Sequence, residues 1–227
     1  MGTDVLTLAR IDVDPDIAER GDNAQFAGDA VELGAVALHS KTYGQTVTAS
    51  GELIDDAPNA AAMIEHSLAN SMALSIDSLI LAEVLANAGS TTAVGGAITH
   101  AQCTHALEAL ELNNHTPTAI IVNPAIAYDI RILTTGDGTN STQMWWPAHP
   151  DVKAIRHFVT NQWQLANAYT GDFSKAYLGV RLGIEVMSSG VAEEAYSRFQ
   201  QIIRLVWRGA CVLGDPSGFH TMTGLTS

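Results

Sequence analysis

Two histidines and a cysteine near the middle of the chain, His100, Cys103 and His105, are residue types that bind metal ions. On a helix, positions 100 and 105 point about 140° away from each other, whereas two zinc ligands on one helix usually lie four positions apart. The sequence contains no HExxH, Walker A or GxSxG motif. We therefore predict ordinary helix residues here and no metal site.

Two glycines in the segment TTGDGTNS, Gly136 and Gly138, form half of the GxGxxG motif that binds dinucleotides. A predicted helix precedes them, whereas that motif follows a strand. Ser217 in GDPSGF lies in a predicted turn with no base near it in sequence, although distant residues could still complete a triad in the folded chain. We predict a polar, mobile loop at the glycines and no catalytic or cofactor-binding residue.

Two pairs of adjacent carboxylates, Asp55/Asp56 and Glu193/Glu194, could suggest acid–base chemistry. Neighbouring side chains diverge on a helix or a strand, whereas glycosidases need convergent carboxylates. Asp55 and Asp56 are better explained as negative charge at the N-terminus of the helix that follows them. The glutamate pair is better explained as part of a solvated loop.

Charge is scarce and unevenly distributed. Charged residues make up 15% of the 227, below the roughly 25% of ordinary soluble domains, so much of the surface is available for contact with other chains. Residues 1–130 hold 17 acidic and 3 basic residues, and residues 131–227 hold 7 and 8, giving net charges of −14 and +1. Because nucleic-acid affinity comes mostly from Lys and Arg, we predict no direct or sequence-specific binding of DNA or RNA. Trp145 and Trp146 then favour packing at a subunit contact over a base-stacking platform.

The two cysteines, Cys103 and Cys211, are too few and too isolated for a disulfide framework or a zinc knuckle. We predict buried thiols in a reducing compartment. The first residues, MGTDVLTLARID, lack the charged and apolar regions of a secretory signal.

The most apolar windows, residues 76–88 and 202–213, contain Asp77, Glu83, Arg204 and Arg208. They therefore fall short of the uncharged stretch of about 18 residues that is typical of a membrane span. We predict no membrane span.

The first 48 residues predict a projecting arm. Residues 5–11 and 31–48 read as strands, and the acidic, Gly-containing segment between them can bury little. A two-stranded hairpin is marginally stable by itself, so this arm predicts a partner chain.

A helix is predicted over residues 59–88, a stretch rich in Ala, Leu, Ile and Met. Pro58 suits its first turn and Gly89 its end. Apolar residues recur at i+4 from Ile64 to Val84, a ridge that turns slowly around the helix, so the buried side should change along its length. Some 30 residues give a rod of about 45 Å. Such a rod fits a flat subunit.

The remaining elements mix helices with antiparallel strands. Residues 91–99 predict a flexible link, and the compositional shift over residues 89–96 is the best place for a boundary between subdomains. Residues 100–113 and 124–133 predict helices, and 117–123, 176–186 and 199–213 predict strands. Without a βαβ repeat, the fold class is α+β.

The segments YTGDFSKAYLGVRLGIEV (169–186) and FQQIIRLVWRGACVLGDPSGF (199–219) resemble the C-terminal region of major capsid proteins of tailed bacteriophages and prophages, of the Hong Kong 97 type. TASGELIDDAPN resembles that family's approach to its spine helix, and TAIIVNPAIAYDIRIL resembles the centre of its axial domain. The likeness depends on the shared order of these motifs over nearly the whole chain.

The resemblance implies a Hong Kong 97-like fold. Residues 1–49 would be an extended loop that reaches over a neighbouring subunit, 50–95 and 169–227 a peripheral domain with the spine helix, and 96–168 an axial domain whose TTGDGTN loop lies near a symmetry axis. The chain would then be a structural subunit of an icosahedral capsid, not an enzyme. Its partners would be copies of itself in pentamers and hexamers, with a scaffold, a portal and a maturation protease, and it would assemble in the bacterial cytoplasm.

Two departures from the family pattern also give expectations. The family normally has an N-terminal arm before the extended loop, whereas this sequence begins almost at the loop, so we expect a truncated chain or an unusually short member. Some members crosslink a loop Lys to an Asn of the peripheral domain. The lysines here are Lys41, Lys153 and Lys175, none at the loop tip, and no Asn follows Asn167. We therefore expect noncovalent contacts to hold the shell.

Two alternatives remain open. An encapsulin-like nanocompartment protein would have the same fold and enclose an enzyme cargo. A soluble hydrolase would have a deep pocket with convergent polar groups and perturbed pKa values, whereas a shell subunit would be flat with a loose arm.

Overall fold

The structure, a computed structural model, describes residues 4–13, 19, 22, 32–57, 59–135, 142–143, 155–162, 166–191 and 193–226. These ranges contain both helices and strands, and the strands pair mostly antiparallel, so the predicted α+β class is confirmed. The calls on Pro58, Gly136, Gly138, Trp145, Trp146 and Lys153 lie outside the described residues.

The arm is an antiparallel hairpin of β1 (Val5–Val13) and β2 (Glu32–His39), paired from Val5 opposite His39 to Ile11 opposite Leu33. The single strand predicted over residues 31–48 is wrong, because the chain leaves the hairpin at Ser40 and continues as β3 (Lys41–Ser50) in another sheet. At this point the Ser40 amide donates a hydrogen bond to the Asp4 carbonyl at 2.9 Å. The arm is therefore a separate two-stranded sheet joined to the body at residue 40.

A three-stranded antiparallel sheet, called here the long sheet, follows the arm. Its order is β10 (Ala176–Ser189), β11 (Gln200–Leu213) and β3, with β11 in the centre. Between β10 and β11 lies a short helix, α5 (Glu193–Ser197), where a solvated loop was predicted for the glutamate pair. The pairing of Ser50 with Gln200 brings α5 to the same end of the sheet as α1 (Gly51–Asp56).

The longest helix, α2 (Ala60–Asn87), begins and ends within a residue of the prediction. Leu68 and Met72 pack against the long sheet, whereas Leu81 and Val84 pack in a second cluster with Tyr169. Val84 lies about 160° around the helix from Leu68. The predicted change of buried side along the helix is therefore confirmed.

The helix ends depart from the prediction in one respect. Asp55 and Asp56 are the last residues of α1, and Asn59 is the N-cap of α2, so the two carboxylates do not stand at the N-terminus of the long helix. Gly89 follows α2 as predicted. Its amide donates to the Pro216 carbonyl at 2.7 Å, and a Cβ there would lie 2.8 Å from that oxygen. Glycine is needed at this position for close backbone approach.

By length and composition alone, α2 is apolar enough to cross a membrane, with a mean hydropathy of 1.5 in its most apolar window. The prediction of no membrane span rested in part on Asp77 and Glu83, and these two charges do not prevent α2 from meeting the length and composition criteria. In the fold, α2 packs along β11 through Leu68 and Met72. Core helices of soluble proteins meet the same length and composition criteria.

The second body sheet, called here the mixed sheet, has the order β4 (Ser90–Ala93), β12 (Phe219–Thr223), β9 (Ala168–Gly171), β5 (Ala119–Val122), β8 (Arg156–Val159). The outer pairs are parallel and the inner pairs antiparallel. The predicted flexible link is wrong for residues 91–93, because hydrogen bonds to β12 hold them in strand β4.

Two helices cover the mixed sheet, and each is capped by its own sequence. Thr99 and Gln102 form a capping box at the start of α3 (His100–Glu111), and Asn123 caps α4 (Pro124–Ile132). The core between sheet and helices includes Cys103, Ile120 and Ile126, all within 1% of full burial. After α4, strands β6 (Thr134–Thr135) and β7 (Thr142–Gln143) form a short hairpin.

Candidate assembly surfaces

We predicted no metal site at His100, Cys103 and His105. All three residues lie on α3, and their side chains have different surroundings. Cys103 is fully buried, and burial raises the pKa of its thiol to about 12. His105 is exposed, and its Nδ1 lies 3.5 Å from the Thr92 hydroxyl. Among the described residues, no group of three or more His, Cys, Asp or Glu side chains is placed to hold a metal ion. Both cysteines are free, and Cys211 is half-buried.

A Ser–His–Asp cluster that sequence reasoning missed lies beside the mixed sheet. His115 Nε2 is 2.9 Å from the Ser217 hydroxyl and 3.2 Å from Asp215 Oδ2. The Ser217 hydroxyl donates to Asp215 Oδ1 at 2.6 Å. His115 and Ser217 are 102 positions apart in sequence, so no local pattern could have revealed their contact.

The geometry of this cluster differs from that of a catalytic triad. In a triad, serine and aspartate contact different ring nitrogens, whereas here both lie against Nε2 and the serine proton goes to Asp215. Burial raises the pKa of Asp215. The two hydrogen bonds from Ser217 and the charges of His115 and Lys175 outweigh that effect, and the pKa is lowered. Asp215 also accepts the Ser217 amide at 3.0 Å, so the cluster closes a turn.

The cleft next to this cluster has a volume of about 610 Å³ and lies between β1 of the arm and the body. Arg10, Lys175 and His115 line it, together with Ser217. The hydrolase alternative predicted a pocket with convergent polar groups, and this cleft is the place where such groups meet. Because Ser217 donates its proton to a carboxylate instead of to the imidazole, the cleft contains no activated nucleophile of the kind that a triad provides.

A polar row lies inside the body between β4 and β12. His220 is 1% exposed, and its Nδ1 is 2.7 Å from the Ser90 hydroxyl. The Thr91 and Thr221 hydroxyls are 2.9 Å apart. Burial, and then the charge of His105, lower the pKa of His220 to about 4. His220 is therefore neutral near pH 7, and the row joins the last strand to the end of the long helix.

The arm exposes apolar side chains along its length. Val5, Leu6 and Leu33 are 43%, 36% and 69% exposed, whereas Leu38, at the base, is buried. A hairpin of this kind gains little from its own contacts. Its exposed apolar residues make the arm a candidate surface for contact with another chain.

A second exposed apolar surface, called here the tip patch, lies where α1 and α5 meet. It consists of Leu53, Val191, Tyr196 and Phe199, all more than half exposed. Phe199 has a φ of 48°, which is strained for an aromatic residue, and its carbonyl accepts the Gly51 amide at 2.8 Å. A Cβ on Gly51 would lie 2.7 Å from the Phe199 ring. The strained turn holds an aromatic ring at the outer end of the long sheet.

The residues considered for a covalent crosslink lie on the body. Lys41 opens β3, and Lys175 ends the short 3-10 helix Phe173–Lys175. Asn167 is buried, and its amide donates to the Tyr169 hydroxyl at 3.5 Å. The structure thus combines a body that contains two sheets, a separate hairpin arm and exposed apolar side chains.

Residues 35–221 match the profile of a family described as phage capsid protein. Since the match covers well over half of the sequence, the chain belongs to the phage capsid protein family. A search of curated proteins finds no match.

Solved structures show the same fold. A chain of Mycobacterium phage Adephagia superposes with a TM-score of 0.79 at 18% identity, covering 100% of this chain and 87% of that one. A chain of Mycobacterium phage Cain gives 0.76 at 18%, covering 98% and 86%. A chain from the capsid of a native GTA particle computed with C5 symmetry gives 0.78 at 12%, covering 100% and 86%. The fold is thus Hong Kong 97-like, as the resemblance implied, and the chain is a structural subunit of a phage capsid. The encapsulin alternative is not favoured.

Proposed function

We propose that copies of this chain associate into pentamers and hexamers and that these close into an icosahedral shell around the phage genome. The observation that carries the proposal is the arm, a separate hairpin with apolar residues exposed, on a chain whose family is phage capsid protein. The GTA capsid computed with C5 symmetry supports five-fold rings. Contacts between different surfaces of identical subunits generate such rings.

In this proposal the arm lies on a neighbouring subunit and buries Val5, Leu6 and Leu33 there. Residues 50–95 and 169–227, which include α1, α2, β10 and β11, are the peripheral part, and 96–168 is the axial part. The mixed sheet contains β4 and β12 from the peripheral segments and β5 and β8 from the axial segment, so the two parts share a sheet. A shared sheet supports a rigid plate from which the arm projects.

The subunit has a geometric role and no catalytic one in this proposal. The shell is held by noncovalent contacts, and its partners are further copies, a scaffold, a portal and a maturation protease in the host cytoplasm. The net charge of −13 supports enclosure of the genome without a tight or sequence-specific grip on it. The shell is assembled without a membrane.

Electron microscopy and analytical ultracentrifugation of the purified full chain test the proposal. We expect rings or closed shells at high protein concentration. Monomers that persist at all concentrations, with or without scaffold protein, would contradict it. Particles that enclose a co-purified enzyme instead of DNA would restore the nanocompartment alternative.

A further inference from the structure

We propose that Asp4, Arg181 and Arg208 form an electrostatic latch that fixes the base of the arm against the long sheet and so sets the direction in which the arm leaves the body. One carboxylate oxygen, Asp4 Oδ1, contacts Arg181 Nη1 and also lies 3.2 Å from Arg208 Nη2. The two arginines come from β10 and β11, so the carboxylate joins the arm to both strands. The latch is argued from these contacts alone, and only the arm's role in assembly rests on the proposed function.

The arm needs such a device because its backbone is not part of the long sheet. Strands β1 and β2 pair with each other, and the long sheet consists of β10, β11 and β3. Between the two sheets the chain passes through one residue, Ser40, whose amide bonds the Asp4 carbonyl. Leu38 is buried at the base and resists separation, but an apolar contact is non-directional. The direction of the arm is therefore set by the charged contacts.

A β-bulge supplies one of the two arginines. Along β10, Val180 pairs with Gly209 and Leu182 pairs with Arg208, so Arg181 has no partner of its own in the ladder. A bulge of this kind inserts an extra residue and redirects its side chain. Arg181 and Arg208 lie on neighbouring strands of the long sheet and contact the same carboxylate.

The two arginines of the contact are less exposed than the carboxylate. The Arg181 and Arg208 side chains are 26% and 33% exposed, and that of Asp4 is 72% exposed. Arg208 Nε is buried and has no hydrogen-bond partner in the part of the chain that the structure describes. Without Asp4, two like charges would face each other in a partly desolvated place. The carboxylate is the exposed and movable member, and the arginines are its fixed receptor.

The test measures the position of the arm in the full chain. Spin labels on cysteines introduced at Leu33 in β2 and Ser67 in α2, both exposed, report the distance between arm and body by pulsed electron paramagnetic resonance. The two native thiols have pKa values raised to about 12 and 11, so they react slowly at neutral pH. We expect one narrow distance distribution, which Asp4→Asn broadens.

Three variants distinguish loss of the latch from the general effect of changing a surface charge. Asp55→Asn removes an exposed carboxylate on α1 and is expected to leave the distribution narrow. Asp4→Glu keeps the charge and is expected to restore most of the narrow distribution. Asp4→Arg combined with Arg208→Asp reverses one pair and is expected to restore more order than either change alone.

An unchanged distribution in Asp4→Asn, with the body's melting temperature preserved, would overturn the latch. If Asp4→Asn fails to fold, Arg208→Met is the second test, and a narrow distribution there would also overturn it. In assembly assays we expect Asp4→Asn to yield fewer shells than Asp55→Asn. Because distances are measured in dilute, unassembled protein, absence of shells from the unmodified chain would count against the proposed function and leave the latch intact.

Discussion

The mixed sheet and the arm are both built from β-strands, but they differ in where their apolar side chains lie. In the mixed sheet, Ile120, Met222 and Phe219 are at most 2% exposed and are covered by helices. In the arm, Val5, Leu6 and Leu33 are exposed. Burial at roughly 25 cal/mol per Å² stabilises the first region within one chain, whereas the second can obtain that stabilisation only from another chain. The body is a folding unit and the arm is an assembly element.

The largest expected effect is on the body. Phe219→Ala removes a fully buried ring that packs edge-on against Phe173 at 5.4 Å, so we expect a loss of about 3–5 kcal/mol in the free energy of unfolding. Urea denaturation measures it. Phe158→Ala, a change at a half-exposed ring on β8, is the control and should cost much less. Equal losses would show that the mixed sheet has no dense core.

Acid should also weaken the body. The pKa of His220 is lowered from 6.5 to about 4 in the folded chain. Between these values the unfolded chain binds more protons, so stability is complete above about pH 6.5, falls as the pH is lowered, and loses no more from this group below about pH 4. The 2.5-unit shift corresponds to about 3 kcal/mol.

Urea denaturation across this pH range measures the loss. His220→Gln removes the titrating group, and we expect it to flatten the dependence between pH 6.5 and 4. His66→Gln, at an exposed position on α2, is the matched control and should not change the slope. A slope unaffected by His220→Gln would assign the acid sensitivity to other groups.

Two substitutions at Phe199 in the tip patch separate the effect of backbone strain from the effect of the exposed ring. Phe199 has a φ of 48° and a 60% exposed ring, so Phe199→Gly should relieve backbone strain. We expect the free energy of unfolding to be about 1 kcal/mol higher for Phe199→Gly than for Phe199→Ala, since both remove the same ring but alanine keeps the strain. Thermal and urea denaturation measure the difference. If both variants form fewer shells, the ring itself is used in assembly.

The smallest expected effect on stability is in the arm. Leu33→Ser should change the free energy of unfolding by less than about 0.5 kcal/mol, because the side chain is 69% exposed in the single chain. The same change should reduce the fraction of protein that sediments as rings or shells. Leu112→Ser, at a 75% exposed leucine after α3, is the control and should assemble normally. Normal assembly of Leu33→Ser would remove the arm's apolar residues from the subunit contact.

The regular elements were largely predictable because their signals are local. The i+4 ridge of α2, the Thr99 and Asn123 caps and the β5 apolar run each depend on neighbours within a few positions. The wrong predictions lie where the pairing of distant strands determines the local structure. Residues 90–93 form a strand only because β12 is beside them, and residues 31–48 divide at Ser40 only because β2 and β3 pair with different strands.

By itself, the sequence determined the α+β class, the long helix and the acidic arm, since composition and periodicity persist whatever the chain contacts. The likeness to capsid subunits came from the order of motifs along the sequence. Only the tertiary structure revealed the contacts of His115 with Ser217, of Asp4 with Arg208 and of the Phe199 ring with Gly51. Asp4 and Arg208 are 204 positions apart, and their contact brings the base of the arm against the long sheet. Contacts of this kind depend on strand pairing across the whole chain, which no local pattern encodes.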